Sequence, residues 1–166
     1  MRQKIAAGLG AGLIAGLVLG VVMGVLPVSA ADGRQITMIA FAARLIRAGS
    51  PLAGWLAYVV YAAILGVLFG ASILVGRESV LRTAILGGVW GFGWFAVVGF
   101  GLVPVLLGSR PISAPALREL GNIAVPLRIG HLAYGLALGA GFRLILNAFT
   151  GPGSSGRGQP GIRRAA

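Results

Sequence analysis

Four stretches of this chain are each apolar over about the 20 residues that a helix needs to cross a bilayer. They run from about Ile5 to Val28, Trp55 to Val75, Ala84 to Leu107 and Ile129 to Ala148. A soluble domain of this length has no core large enough to bury them all. Only 10% of the residues are charged and 57% are hydrophobic, so too few charges remain to cover a water-facing surface. The expected fold is an all-α membrane protein, a four-transmembrane-helix bundle over residues 1–150. The segment 151–166 is rich in Gly, Pro, Ser and Arg, has no apolar period, and reads as a disordered basic tail.

The net charge of +11 lies in the short segments around the apolar runs. Membrane proteins place basic residues there against anionic headgroups, so the expected partner is the lipid bilayer and not nucleic acid. Arg44, Arg47, Arg128 and Arg143 are the candidate headgroup contacts. With no cysteine, the chain has no disulfide, thiolate metal site or cysteine nucleophile.

The connections differ in kind. Gly76-Arg77-Glu78-Ser79 reads as a tight polar turn, whereas Ala30–Pro51 and Gly108–Pro126 are longer. In the first long connection Ile36, Ile39, Phe41, Leu45 and Ile46 mix with Arg34, Arg44 and Arg47. This pattern fits a helix lying on the membrane surface or an ordinary connecting helix. Arg2 and Lys4 before an apolar run ending at Val28-Ser29-Ala30 also resemble a signal peptide. The run exceeds the usual length of about 7–15 residues, so it is expected to stay as the first span. An even number of spans puts both termini on one side. That side carries Arg2, Lys4, Arg77, Arg82, Arg143, Arg157, Arg163 and Arg164, against Arg34, Arg44, Arg47, Arg110, Arg118 and Arg128 on the other. The bias favours cytoplasmic termini.

The two halves look alike. Laying span one on span three matches Ala7 with Ala84, Gly10 with Gly87, Gly16 with Gly93, Gly24 with Gly101 and Pro27 with Pro104. Laying span two on span four matches Tyr58 with His131, Tyr61 with Tyr134, Gly66 with Gly139 and Phe69 with Phe142. A rival register pairs Leu56-Ala57-Tyr58 with Leu132-Ala133-Tyr134. A tandem repeat of two helical hairpins is expected, both inserted in the same orientation. Secondary transporters are more often built from inverted repeats, so this mildly disfavours a transporter.

Span one carries Gly8, Gly12, Gly16, Gly20 and Gly24, four residues apart. At about 100° per residue they form a groove that winds slowly round the helix. Gly66 and Gly70, Gly87 and Gly91, and Gly135 and Gly139 give the other spans a similar face. In lipid, helices associate through close van der Waals contact, and small residues permit it. These glycines are the expected helix-packing positions, against other spans of the same chain or, alternatively, against another subunit.

Polar groups are scarce. No Asp, Glu or Lys lies within the four spans, so no carboxylate relay or acid–base pair is available there. No catalytic residue and no metal site is expected. His131 is the only histidine and has no Cys or second His to share a metal or haem. It is expected to form an interhelical hydrogen bond, to Tyr58 or Tyr61. His131, Tyr58, Tyr61 and Tyr134 are the candidate polar site. Arg143 is expected to extend to the headgroups and Trp55 to anchor at the interface. Trp90, Phe92, Trp94 and Phe95 are expected to pack on the glycine faces, with a pigment, quinone or lipid groove as the alternative.

Gly54-Trp55-Leu56-Ala57-Tyr58, Gly130-His131-Leu132-Ala133-Tyr134-Gly135 with Gly139, the glycine-rich first span and Pro104 together resemble the YagU-like type of small four-span bacterial inner-membrane proteins. The resemblance covers roughly residues 1–146. It implies a location in the inner membrane and no known chemistry. Such proteins often carry a histidine where this chain has Tyr58, which disfavours a paired-histidine site here. The expected function is non-enzymatic, a scaffold or accessory subunit packing beside other membrane subunits or itself, with no cofactor. The alternatives are a small channel or transporter for an uncharged solute, and a cofactor-binding subunit using His131 and the deep aromatics.

Overall fold

The structure, a computed structural model, describes residues 1–29, 33–73 and 78–150. It is an all-α four-helix bundle whose long helices can each cross a membrane, as in a multi-pass membrane protein. They are α1 (Arg2–Val25), α3 (Pro51–Ser72), α4 (Val80–Leu106) and α5 (Ala114–Thr150). Between α1 and α3 lie a two-stranded hairpin, β1 (Pro27–Ser29) and β2 (Gln35–Thr37), and the short helix α2 (Met38–Leu45). The hairpin pairs Val28 with Ile36 in antiparallel register. Gly76 and Arg77 of the polar turn, Asp32, and the tail 151–166 lie outside the described residues.

The helix ends follow local chemistry. α1 stops at Val25, short of the expected Val28, because Leu26 precedes Pro27 and takes an extended conformation. α3 starts four residues before the expected Trp55. Ser50 caps it by accepting a hydrogen bond from the Ala53 N–H at 3.4 Å, and Pro51 occupies the first turn, where its missing N–H costs nothing. Ser79 caps α4 in the same way, through the Arg82 N–H at 3.2 Å. Glu78 then pairs with Arg82 at 2.6 Å on the surface. α5 departs furthest from expectation. It begins at Ala114 and runs through Pro126, so most of the second long connection is helix. Pro126 removes one N–H from the ladder without ending the helix, since the apolar face continues on both sides through Ile123 and Leu127.

α1 packs against both α3 and α5, and α5 against both α1 and α4, so the spatial order is α3–α1–α5–α4. The α1/α3 and α4/α5 pairs meet backbone to backbone. At Gly8 the Gly66 carbonyl, and at Gly70 the Lys4 carbonyl, occupy the space of a side chain. A Cβ at Gly12 would lie 2.6 Å from the Ala62 carbonyl oxygen, and one at Gly16 would lie 2.8 Å from the Ala62 Cβ. Gly87 faces the Gly135 carbonyl, Gly91 the His131 carbonyl and Gly139 the Thr83 carbonyl. The glycine faces are therefore used within the chain. Two members behave differently from expectation. Gly20 receives the Trp55 indole, so Trp55 fills the groove as well as standing near the helix end, and Gly24 faces open space.

The two hairpins cross alike. Gly66 sits against Gly8 and Gly12, and Gly139 sits against Thr83 and Gly87. The α1/α5 interface is smoother, with Ala7, Ala11 and Ala15 opposite α5, followed by Leu19 and Met23 beside Gly130. Together with Leu65, Phe69, Tyr134, Leu138 and Phe142 these side chains form one buried core.

Candidate functional site

α3 and α4 lack the close backbone packing of the α1/α3 and α4/α5 pairs, and the bundle is open along their seam. Phe69 and Trp90 meet across it, with ring centroids 5.8 Å apart. Below this contact lies a cleft of about 650 Å³ lined by Ser72, Ile73, Val89, Trp90, Gly93 and Trp94. Trp90 and Trp94 thus line an open groove, where packing on the glycine faces was expected. The Trp90 Nε1 is buried and has no hydrogen-bond partner among the described residues. Phe92 is largely exposed, and Phe95 packs on His131 with centroids 6.4 Å apart.

The opposite end of the seam holds a cavity of about 230 Å³. α2 roofs it through Met38, Phe41 and Leu45, and α4 walls it through Val98, Leu102 and Val103. α2 is positioned from the sequence upward. Thr37 caps it by accepting from the Ala40 N–H at 3.3 Å. Its apolar residues Met38, Ile39, Phe41 and Ala43 are buried, and Ile39 and Ala43 lie directly on Gly54 of α3. It is therefore docked on protein, while Arg44 and Arg47 stay exposed. On the far wall, α4 winds into a π turn over Val98–Leu102, where the Val103 N–H donates to the Val98 carbonyl. Pro104 lacks the N–H that an α ladder would require there, and Gly99 and Gly101 let the backbone widen. π turns of this kind often mark functional sites. Neither α2 as a roof nor the π turn was legible from apolar periodicity; the run Val98-Gly99-Phe100-Gly101 before Pro104 was the available signal.

α5 supplies the polar element. The His131 Nδ1 lies 2.8 Å from the Leu127 carbonyl, and its Nε2 lies 3.2 Å from the Tyr61 hydroxyl. A carbonyl only accepts, so Nδ1 carries the proton and Nε2 accepts from Tyr61. Of the two expected partners, Tyr61 is the one used. Tyr134 does not join this pair; its hydroxyl donates to the Ala62 carbonyl at 2.8 Å. Tyr58 lines the cavity beside Tyr61. The Arg128 guanidinium carbon lies 5.5 Å from the centre of the Phe95 ring. Arg143 is half-buried further along α5. Among the described residues no group of three or more His, Cys, Asp or Glu is placed to hold a metal ion. The arrangement offers a neutral imidazole–phenol pair, one further hydroxyl and apolar walls. No Asp, Glu, Lys or Arg is among the described residues that line the cavity. No family model, no curated protein and no solved structure matches this chain.

Proposed function

We propose that this chain is a non-enzymatic protein of the bacterial inner membrane, a scaffold or accessory subunit of a larger membrane complex, with cytoplasmic termini. The open seam between α3 and α4 carries this reading. The α1/α3 and α4/α5 pairs pack through the backbone, whereas the cleft beside Phe69, Trp90 and Trp94 leaves apolar surface and an indole N–H without a partner among the described residues. Apolar area of this kind in a membrane bundle suits a transmembrane segment of another subunit or of a second copy. The resemblance to YagU-like proteins and the tandem-hairpin architecture belong to the same proposal. The channel or transporter reading has less support, since both cavities are walled mainly by apolar side chains.

The test is the mass of the protein after extraction in mild detergent. Gly93 lines the cleft and has nothing within 4 Å of where its Cβ would be, so Gly93→Phe fills the cleft without disturbing the core. Wild type is expected to run in an assembly larger than the 16.8 kDa chain, and Gly93→Phe to run alone. Val60→Phe, on an outward face of α3, is expected to keep the assembly. A wild type that runs alone under every gentle condition would rule the proposal out.

A further inference from the structure

We propose that the half-open cavity under α2 takes one acyl chain of an anionic phospholipid from the surrounding bilayer, with the lipid phosphate held by Arg44 and Arg47. This goes beyond the scaffold reading and stands on different residues.

The cavity has a closed floor and an open side. Phe41 and Leu127 line it and are buried, whereas Ile46 of α2 and Leu102 and Leu106 of α4 line it and are exposed. In a membrane-spanning bundle this exposed apolar rim faces hydrocarbon, so what enters from the side is a lipid chain. The dimensions agree. On α4 the lining extends from Val98 to Leu106, roughly 12 Å at about 1.5 Å per residue. That is most of one leaflet of a hydrocarbon core about 30 Å thick. An apolar cavity of roughly 150 Å³ holds benzene, so by proportion the cavity here, about 230 Å³, holds roughly nine carbons of a chain. A chain that moves from bilayer to cavity leaves one hydrocarbon environment for another, and gains packing contact rather than hydrophobic free energy. Preference among lipids then comes from the headgroup. Arg44 precedes and Arg47 follows the lining residues Leu45 and Ile46, and both arginines are exposed. No acidic residue occurs between Gly33 and Arg77. The end of α2 beside the open side is therefore positive, and a lipid phosphate is its complement.

The test is native mass spectrometry of the full chain in mild detergent, titrated with dioleoyl phosphatidylglycerol or dioleoyl phosphatidylcholine. The two lipids share their chains and differ in net charge. Folded wild type is expected to retain one phosphatidylglycerol per chain and to prefer it to phosphatidylcholine about five- to tenfold. Arg44→Gln combined with Arg47→Gln should bring the two lipids to the same level. Arg82→Gln, in the first turn of α4 and away from the cavity, should keep the preference. Ala42→Phe in the roof and Ala57→Phe in the α3 wall each fill the cavity, and whichever stays folded by circular dichroism should lose the lipid. Three results would overturn the proposal. One is folded wild type that retains no stoichiometric phosphatidylglycerol. Another is a preference lost equally in Arg82→Gln, which would make it an effect of net charge. The third is undiminished retention in a folded, cavity-filled variant, which would place the lipid elsewhere.

Discussion

The Tyr61 hydroxyl donates to His131 Nε2 across 3.2 Å, tying the middle of α3 to α5 next to the bond from the Tyr134 hydroxyl to the Ala62 carbonyl. His131 is 1% exposed, so the imidazole has no water to turn to. Tyr61→Phe leaves a buried acceptor unpaired and is expected to destabilise the protein by about 1–3 kcal/mol. Thermal unfolding in detergent, followed by circular dichroism, measures this. A variant as stable as wild type would show that the bond contributes little.

The glycine row separates into members that touch α3 and one that does not. Gly12→Ala would place a methyl group 2.6 Å from the Ala62 carbonyl oxygen, and separating the helices is expected to cost about 1–3 kcal/mol. Gly24 has nothing within 4 Å of the added methyl. Gly24→Ala is expected to be neutral or to stabilise by about 0.5–1 kcal/mol, through helix propensity. Parallel melting curves of the two variants would distinguish a packing row from a compositional one, since equal losses would exclude the contact-based account.

Arg47 closes α2 with a φ of 57°, a conformation in which a side chain crowds the backbone. The Ala48 N–H donates to the Ala43 carbonyl at 2.8 Å, which holds the residue there. Arg47→Gly should therefore stabilise the protein in detergent by about 0.5–1 kcal/mol. In anionic liposomes the gain should shrink, because a headgroup contact is lost. An unchanged gain in liposomes would remove Arg47 from the lipid-contact set.

The cysteine-free sequence allows orientation to be measured directly. Cytoplasmic termini predict that Ser109→Cys, in the α4–α5 connection, reacts with a membrane-impermeant maleimide in intact cells. Glu78→Cys, next to the start of α4, should react only after lysis. The reverse pattern would invert the topology.

Much of the architecture was legible in the residues. Four apolar runs of bilayer length determined four spans, but their ends were set by the capping of Ser50 and Ser79 and the ring of Pro27, which start α3 four residues earlier and end α1 three residues sooner than expected. The spacing of Gly8, Gly12 and Gly16 foretold backbone contact, because close approach requires the absence of a side chain at repeating turns. That His131 would find a phenol also followed from the scarcity of other polar groups.

Only the tertiary structure decided which phenol, which helices are neighbours, and where the bundle stays open. Tyr58 and Tyr61 lie less than one turn apart, and periodicity does not rank them; the crossing of α3 over α1 does. Apolar patterning in a membrane chain is uniform around each helix, so it carries no directional signal for pairing. The order α3–α1–α5–α4, the seam it leaves, and the cavity that α2 and the π turn line there come from contacts between residues far apart in sequence.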